Sequence, residues 1–266
     1  MCSDHYPPIA VGRAGADNGP YPGWMSLSGL MTQDPAHTMP ETRLFPYDLV
    51  MFDLDGTLME TASELSDALN DTLAGLGCAP VAETRVGGWI GNGTGELLIR
   101  GLAESTGQAP QALRGSELAQ RAVALFVPCY ERRCGTRSRL YPHAAQVLQQ
   151  LRARGVRLAV VTNKDGRFTR RLLDSHRLTS LLDLVVAGDT VARKKPAPDG
   201  IAHCLAQLQV AATRALFVGD SAIDVASARN AGVAVWAVPG GYNQGLPIAS
   251  ARPDRVIQGL ADLLAS

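Results

Sequence analysis

The sequence predicts an α/β protein, a doubly wound (Rossmann-like) parallel sheet core with an α-helical cap domain inserted into it. Three observations carry that reading. Short apolar runs, several of them rich in valine, recur at 49–52, 158–161, 184–187, 216–218 and 233–238, as strands buried on both faces do. Segments with helical periodicity separate the later runs, which makes a βαβ series. The first run is instead followed by a long stretch, about 60 to 140, with no strand pattern and an entirely helical character.

Taken in order, residues 1–45 are rich in Gly, Pro, Ser and Asp, lack sustained periodicity, and are expected to form a disordered N-terminal extension. They show no basic segment followed by an apolar one, which argues against a secretory signal. The core is assigned to 46–60 and 141–266, and the cap to 61–140. Leu49-Val50-Met51-Phe52 is the first strand. In the cap, Leu65, Leu69, Leu73 and Leu76 fall close to i, i+4 on one helix face, and Leu97, Leu98 and Leu102 mark a second. In the core, Val147, Leu148 and Leu151 define a helix closed by Gly155, and Ile201, Leu205 and Leu208 define another.

Composition narrows the function classes. The 266 residues carry no net charge and no basic block, so neither nucleic acid nor an anionic membrane is expected as a partner. No apolar run approaches the length that crosses a bilayer. The five cysteines (Cys2, Cys78, Cys129, Cys134, Cys204) are odd in number and form no C-x-x-C pair. A disulfide framework or zinc site is therefore not expected, and a reducing cytoplasm suits the chain. Of 25 basic residues only Lys164, Lys194 and Lys195 are lysines, so each is less easily dismissed as surface filler. Oligomeric state is left open.

The chemistry sits at strand ends. In an open α/β sheet the loops after the carboxyl ends converge on one crevice, and four of the five strand exits carry reactive or charged groups. The first ends in Asp53-Leu54-Asp55-Gly56-Thr57. Paired carboxylates at the end of a buried strand are costly unless something cationic or protonated meets them. One acid as nucleophile and the other as acid/base suits phosphoryl transfer. The second exit supplies Thr162-Asn163-Lys164, where a hydroxyl and a backbone amide can bond a phosphate oxygen. The third supplies Lys194-Lys195-Pro196; the proline stiffens the loop and aims Lys195, whose ammonium can neutralise phosphate and attacking carboxylate together. The fourth, Gly219-Asp220-Ser221-Ala222-Ile223-Asp224, brings two further carboxylates. An all-oxygen donor set with no His or Cys at ligand spacing selects Mg²⁺. Taken singly, these segments also read as a helix N-cap at Asp220 or Ser221, ordinary turns, or a surface lysine pair.

With these four segments in place, the chain from about 47 to 264 resembles the haloacid dehalogenase-like hydrolase superfamily. The resemblance implies Asp53 as the nucleophile that forms an aspartyl-phosphate, and Asp55 as the acid that protonates the leaving alcohol and then activates water. It implies that Thr162 and Lys195 bind the phosphoryl group. It also implies that Asp53, the backbone carbonyl of Asp55, and Asp220 hold Mg²⁺, with Asp224 supporting through water. Finer features resemble the phosphoglycolate phosphatases: Trp89-Ile90-Gly91-Asn92-Gly93 in the cap, Val161-Thr162-Asn163-Lys164, and Gly241-Tyr242-Asn243-Gln244-Gly245. These imply a small phosphorylated carboxylic acid as substrate, with Thr57, Gly91, Asn92, Gly93 and Asn163 as binding residues. For the substrate carboxylate, the Gly91–Gly95 backbone, Arg85 and Arg100 are the cap candidates.

Other activities on the same fold separate by residue. A dehalogenase requires neither a metal nor a second acid, so Asp55 argues against it. A phosphonate hydrolase needs a cap lysine, and 60–140 contains none. A phosphatase or phosphomutase acting on another small sugar phosphate remains the alternative, and a non-catalytic phosphate-sensing module is the alternative of another class.

Overall fold

The computed structural model describes residues 45–265. The expected N-terminal extension, up to residue 44, lies outside the described residues. Phe45, assigned by its neighbours to that extension, belongs to the folded core: it is buried and packs edge-on against Tyr47, which in turn meets Trp236.

The chain runs β1 (Leu49–Phe52), β2 (Met59–Glu60), α1 (Ala62–Gly75), α2 (Glu83–Val86), α3 (Thr94–Thr106), α4 (Pro110–Leu113), α5 (Glu117–Arg133), β3 (Arg139–Leu140), α6 (Ala144–Ala153), β4 (Arg157–Val161), α7 (Gly166–Ser175), β5 (Leu184–Val186), α8 (Asp199–Leu208), β6 (Ala215–Gly219), α9 (Ala222–Asn230), β7 (Ala234–Ala237) and β8 (Arg255–Val256). Six strands form a parallel sheet in the order β5-β4-β1-β6-β7-β8. Strand order therefore reverses at β1, with β4 on one side and β6 on the other. That switch point is where such sheets open a crevice at their carboxyl edge.

The apolar alternation explains the layering. Val50 and Phe52 belong to one core cluster with Leu148, Leu151, Phe168 and Leu172, whereas Leu49 and Met51 belong to another with Ile201, Cys204, Val225 and Ala228. Helices thus cover both faces, α6 and α7 on one and α8 and α9 on the other. All four β1 side chains are fully buried. Each contributes about 1.5–3 kcal/mol relative to exposure, which anchors the strand that must end in buried carboxylates.

Helices α1 to α5 lie between β2 and β3, which pair antiparallel with Met59 opposite Leu140 and Glu60 opposite Arg139. Leu65, Leu69 and Leu73 of α1 pack with Ala122, Phe126 and Tyr130 of α5 in a buried interior, and Leu97, Leu98 and Leu102 of α3 join it. The sequence reading of 60–140 as wholly helical missed the two-stranded ribbon at its ends, because two-residue strands carry no periodicity. Likewise β8, short and exposed, has no apolar run to announce it. Glu64, fully buried on α1, secures the return of the insertion by accepting hydrogen bonds from Tyr130 Oη at 3.0 Å, Gly135 N at 2.9 Å and Ser138 N at 3.0 Å.

Among the described residues no helix is long and apolar enough to cross a membrane, and Cys78, Cys129, Cys134 and Cys204 are unpaired.

Candidate active site

The exits of β1, β4 and β6, and the loop after β5, meet above the switch point. Asp53, Asp55, Thr162, Lys164, Lys195, Asp220 and Asp224 are all buried there. Asp53 follows β1 directly, its backbone N–H donating to Val218 O of β6 at 2.9 Å, so its position is fixed by the sheet ladder itself.

Asp53, Asp220 and Asp224 each offer a carboxylate oxygen within 4.8 Å of the others. Lys195 Nζ lies 2.7 Å from Asp53 Oδ1 and donates to Asp224 Oδ1, also at 2.7 Å. Asp53 Oδ1, despite that ion pair, has no partner of hydrogen-bonding geometry. Burial pushes the Asp53 carboxyl up to about 6; Lys195 opposes this, and the charges of Asp224 and Asp55 add to it. Asp220 is held well above the usual carboxylate range by burial and by repulsion from Asp224 and Asp53. For Lys195, burial disfavours the ammonium, but Asp224 and Asp53 outweigh it and hold its pKa above the ordinary lysine value.

Three carboxylates against one ammonium leave two negative charges unbalanced in a low-dielectric site. That deficit, the hard oxygen donors and the orphaned Asp53 oxygen fit a divalent cation of the Mg²⁺ type. Backbone glycines hold the set together. A Cβ on Gly56, where φ is +94°, or on Gly241 would collide with the Asp220 carboxylate. Asp220 is further oriented by Thr57 Oγ1 and by Tyr242 N, which donate to its Oδ1 and Oδ2, each at 2.6 Å.

Asp224 combines two readings of its motif. Ser221 caps α9, and Asp224 at the third helical position bonds back in a capping box, with Ser221 N at 3.0 Å and Ser221 Oγ at 2.6 Å on its Oδ2. Its other oxygen accepts from Lys195. The N-cap reading and the charged-site reading are thus one arrangement.

Asp55 points elsewhere, and its carboxylate lies outside the three-acid cluster. Lys164 Nζ donates to Asp55 Oδ1 at 3.0 Å and Oδ2 at 3.2 Å, and Thr61 Oγ1 donates to Oδ1 at 2.6 Å. Lys164 lies 4.9 Å above the Tyr130 ring. Thr162 Oγ1 accepts from Lys164 N at 3.2 Å, which leaves its O–H to donate outward. One cavity is lined by Asp53, Asp55, Thr162, Asn163 and Lys164 from the core and by Leu65, Ile90, Gly91, Gly93, Thr94, Leu97 and Tyr130 from the insertion.

The expected binding residues divide. Gly91 and Gly93 line this cavity. Asn163 also does, but its side chain is spent on the backbone: Nδ2 donates to Gly91 O and Lys195 O at 3.0 Å each, and Oδ1 accepts from Lys195 N at 2.8 Å. It fastens the insertion to the lysine loop. Thr57 orients Asp220 and does not line the cavity. Asn92 is exposed and faces a different cavity, beside Gly95 and Glu96. Arg85 is paired with Glu104 at 3.0 Å and Arg100 with Glu96 at 2.8 Å, and neither lines the cavity. These surface pairs are satisfied within the insertion. Lys194 is exposed and reaches Asn163 O at 3.3 Å.

Sequence reasoning missed Lys164, Tyr130, Thr61 and Tyr242 as parts of the site. Lysine scarcity was the usable signal for Lys164. For Tyr242 it was the Gly241–Gly245 segment: its hydroxyl accepts from Thr61 N and Ala62 N at 2.9 Å each and donates to Glu60 Oε1 at 3.0 Å, which joins the Asp220 loop to the start of α1.

Comparison with known proteins agrees with this geometry. Residues 50–238 match the haloacid dehalogenase-like hydrolase family. The chain is 39% identical over 216 residues to phosphoglycolate phosphatase 1 of Pseudomonas aeruginosa, covering 81% of this chain and 78% of that one. It is 37% identical to the phosphoglycolate phosphatase of Vibrio cholerae, covering 81% and 95%. The crystal structure of a predicted phosphoglycolate phosphatase from Haemophilus somnus superposes with a TM-score of 0.78 at 31% identity, covering 84% of this chain and 98% of that one. With its sheet order, its inserted helices and its convergent acids all of one pattern, the chain belongs to the haloacid dehalogenase-like hydrolase family.

Proposed function

We propose that this protein is a Mg²⁺-dependent phosphomonoesterase that hydrolyses 2-phosphoglycolate to glycolate and inorganic phosphate, with Asp53 as nucleophile. The observation that carries the proposal is the Asp53 carboxylate: buried, one oxygen without a hydrogen-bond partner, and set between Lys195 and two further acids. Relatives named phosphoglycolate phosphatase, aligned over four-fifths of the chain, support the substrate.

Asp53, the backbone carbonyl of Asp55 and Asp220, with Asp224 in support, would hold the divalent ion, which would supply Lewis-acid stabilisation of phosphoryl charge. The residues do the rest. Lys195, fixed between Asp53 and Asp224, lowers the repulsion between carboxylate and phosphate. Thr162 donates its O–H to a phosphoryl oxygen. Asp53 attacks phosphorus as the bond to the glycolate oxygen breaks, and Asp55 gives its proton to that oxygen. Water then attacks the aspartyl-phosphate, Asp55 takes the water's proton, and the Asp53–phosphorus bond breaks to release phosphate. The test is turnover of 2-phosphoglycolate with Mg²⁺ and with EDTA, together with acid-quench trapping of labelled phosphate on Asp53. Full activity in EDTA, or label that persists in Asp53→Asn, refutes the proposal.

A further inference from the structure

The mechanism above leaves Lys164 unexplained. It is buried, it lies beside the proton donor, and a buried ammonium is expensive to keep without a task. Among the described residues that line the cavity, Lys164 is the only cation. Lys195 is committed to Asp53 and Asp224. The arginines of the insertion that were candidates for an anionic substrate group, Arg85 and Arg100, are locked in surface pairs away from the cavity. The Tyr130 hydroxyl donates to Glu64 and cannot serve either.

We propose that Lys164 is the residue that recognises the substrate's carboxylate, and that the enzyme therefore selects phosphate esters of 2-hydroxycarboxylates. The inference rests on the phosphatase reading given above. Its geometry follows from Asp55. In a 2-phosphooxy carboxylate the carboxylate carbon is two bonds from the leaving oxygen. A group that protonates that oxygen and a group that binds that carboxylate must be close neighbours, and Lys164 Nζ is 3.0 and 3.2 Å from the two Asp55 oxygens. Without substrate, Asp55 accepts from Lys164 on both oxygens and from Thr61 on one. It cannot deliver a proton to a leaving group while so occupied. An incoming carboxylate replaces Asp55 as the partner of Lys164, so the ammonium stays paired and Asp55, no longer held as an acceptor, takes up from solvent the proton that it passes to the leaving oxygen. The ring of Tyr130, 4.9 Å from Nζ, gives the ammonium a favourable face throughout the exchange. An ester lacking the carboxylate has nothing with which to draw Lys164 away. Discrimination therefore shows in kcat as well as in KM.

The experiment compares kcat and KM for 2-phosphoglycolate and ethyl phosphate in the wild type, Lys164→Met and Lys164→Gln, with Mg²⁺ present. Both variants lose activity on both esters, since Asp55 is also disturbed; the readout is the ratio. The wild type is expected to prefer 2-phosphoglycolate by about 100-fold or more in kcat/KM, and the variants by no more than about 5-fold. A preference that survives in either variant overturns the inference and leaves the phosphatase reading intact. A wild type without that preference removes the phosphoglycolate reading, and the inference with it. Should neither variant fold, the amide of 2-phosphoglycolate tests the wild type directly. That uncharged isostere is expected to lose about 100-fold in kcat, and a kcat within about threefold of the natural ester's overturns the role of Lys164.

Discussion

Replacing Asp53 by Asn should make the metal-free protein more stable while abolishing turnover. The folded protein holds the Asp53 proton up to about 6, against an ordinary value of 3.8, chiefly because burial disfavours the anion. The sign follows from that direction. A carboxyl that binds its proton more tightly when folded penalises folding at every pH where it is ionised. The penalty is complete above the folded value, and it fades as pH falls toward the unfolded one. At 1.36 kcal/mol for each pH unit of separation, it amounts to about 3 kcal/mol at pH 8 and about half of that at pH 5. Asn keeps the shape and removes the charge, so in EDTA at pH 8 the variant gains about 3 kcal/mol, or about 6–12 °C in Tm for a chain of this size. Mg²⁺ shrinks the gap, because an ion bound only by the folded wild type at 100 times its Kd returns about 2.7 kcal/mol. Denaturant titrations of both proteins in EDTA at pH 8 and pH 5, repeated with Mg²⁺, measure each quantity. An Asp53→Asn variant equal to or weaker than wild type at pH 8 in EDTA, or a gap that does not narrow at pH 5, refutes the account of a buried, uncompensated acid cluster.

Mg²⁺ affinity, followed by calorimetry, should weaken by about tenfold per pH unit below about pH 6, because a proton on Asp53 competes with the ion. Asp55→Asn should slow phosphorylation of Asp53 by an alkyl phosphate about 10²–10⁴-fold. The same step with 4-nitrophenyl phosphate, whose leaving group needs no proton, should slow far less in burst kinetics. Tyr242→Phe leaves the Thr61 N–H without its acceptor, while Ala62 N keeps Glu60 Oε1; thermal unfolding should show a loss of about 1–3 kcal/mol.

Residue order alone determined the sheet and the acids. Buried parallel strands must be apolar on both faces, so β1, β4, β5, β6 and β7 announce themselves as runs, and the groups that follow such runs are carried to one edge whatever the loops do. That is why Asp53, Asp55, Thr162, Lys195, Asp220 and Asp224 were legible. Which partner each side chain takes was decided only by the tertiary structure. Lys164 and Asp55 are far apart in sequence and adjacent in space. Thr57 and Asn163 follow strand ends, as substrate-binding residues do, yet they spend their hydrogen bonds on Asp220 and on the backbone. Asn92, Arg85 and Arg100 have suitable chemistry but do not line the cavity: Asn92 is exposed toward a different one, and Arg85 and Arg100 are paired with Glu104 and Glu96. A side chain's direction depends on packing between helices that no local period records. The two-residue strands β2, β3 and β8 escaped for the same reason: they exist only because a neighbour supplies the other half of each hydrogen bond.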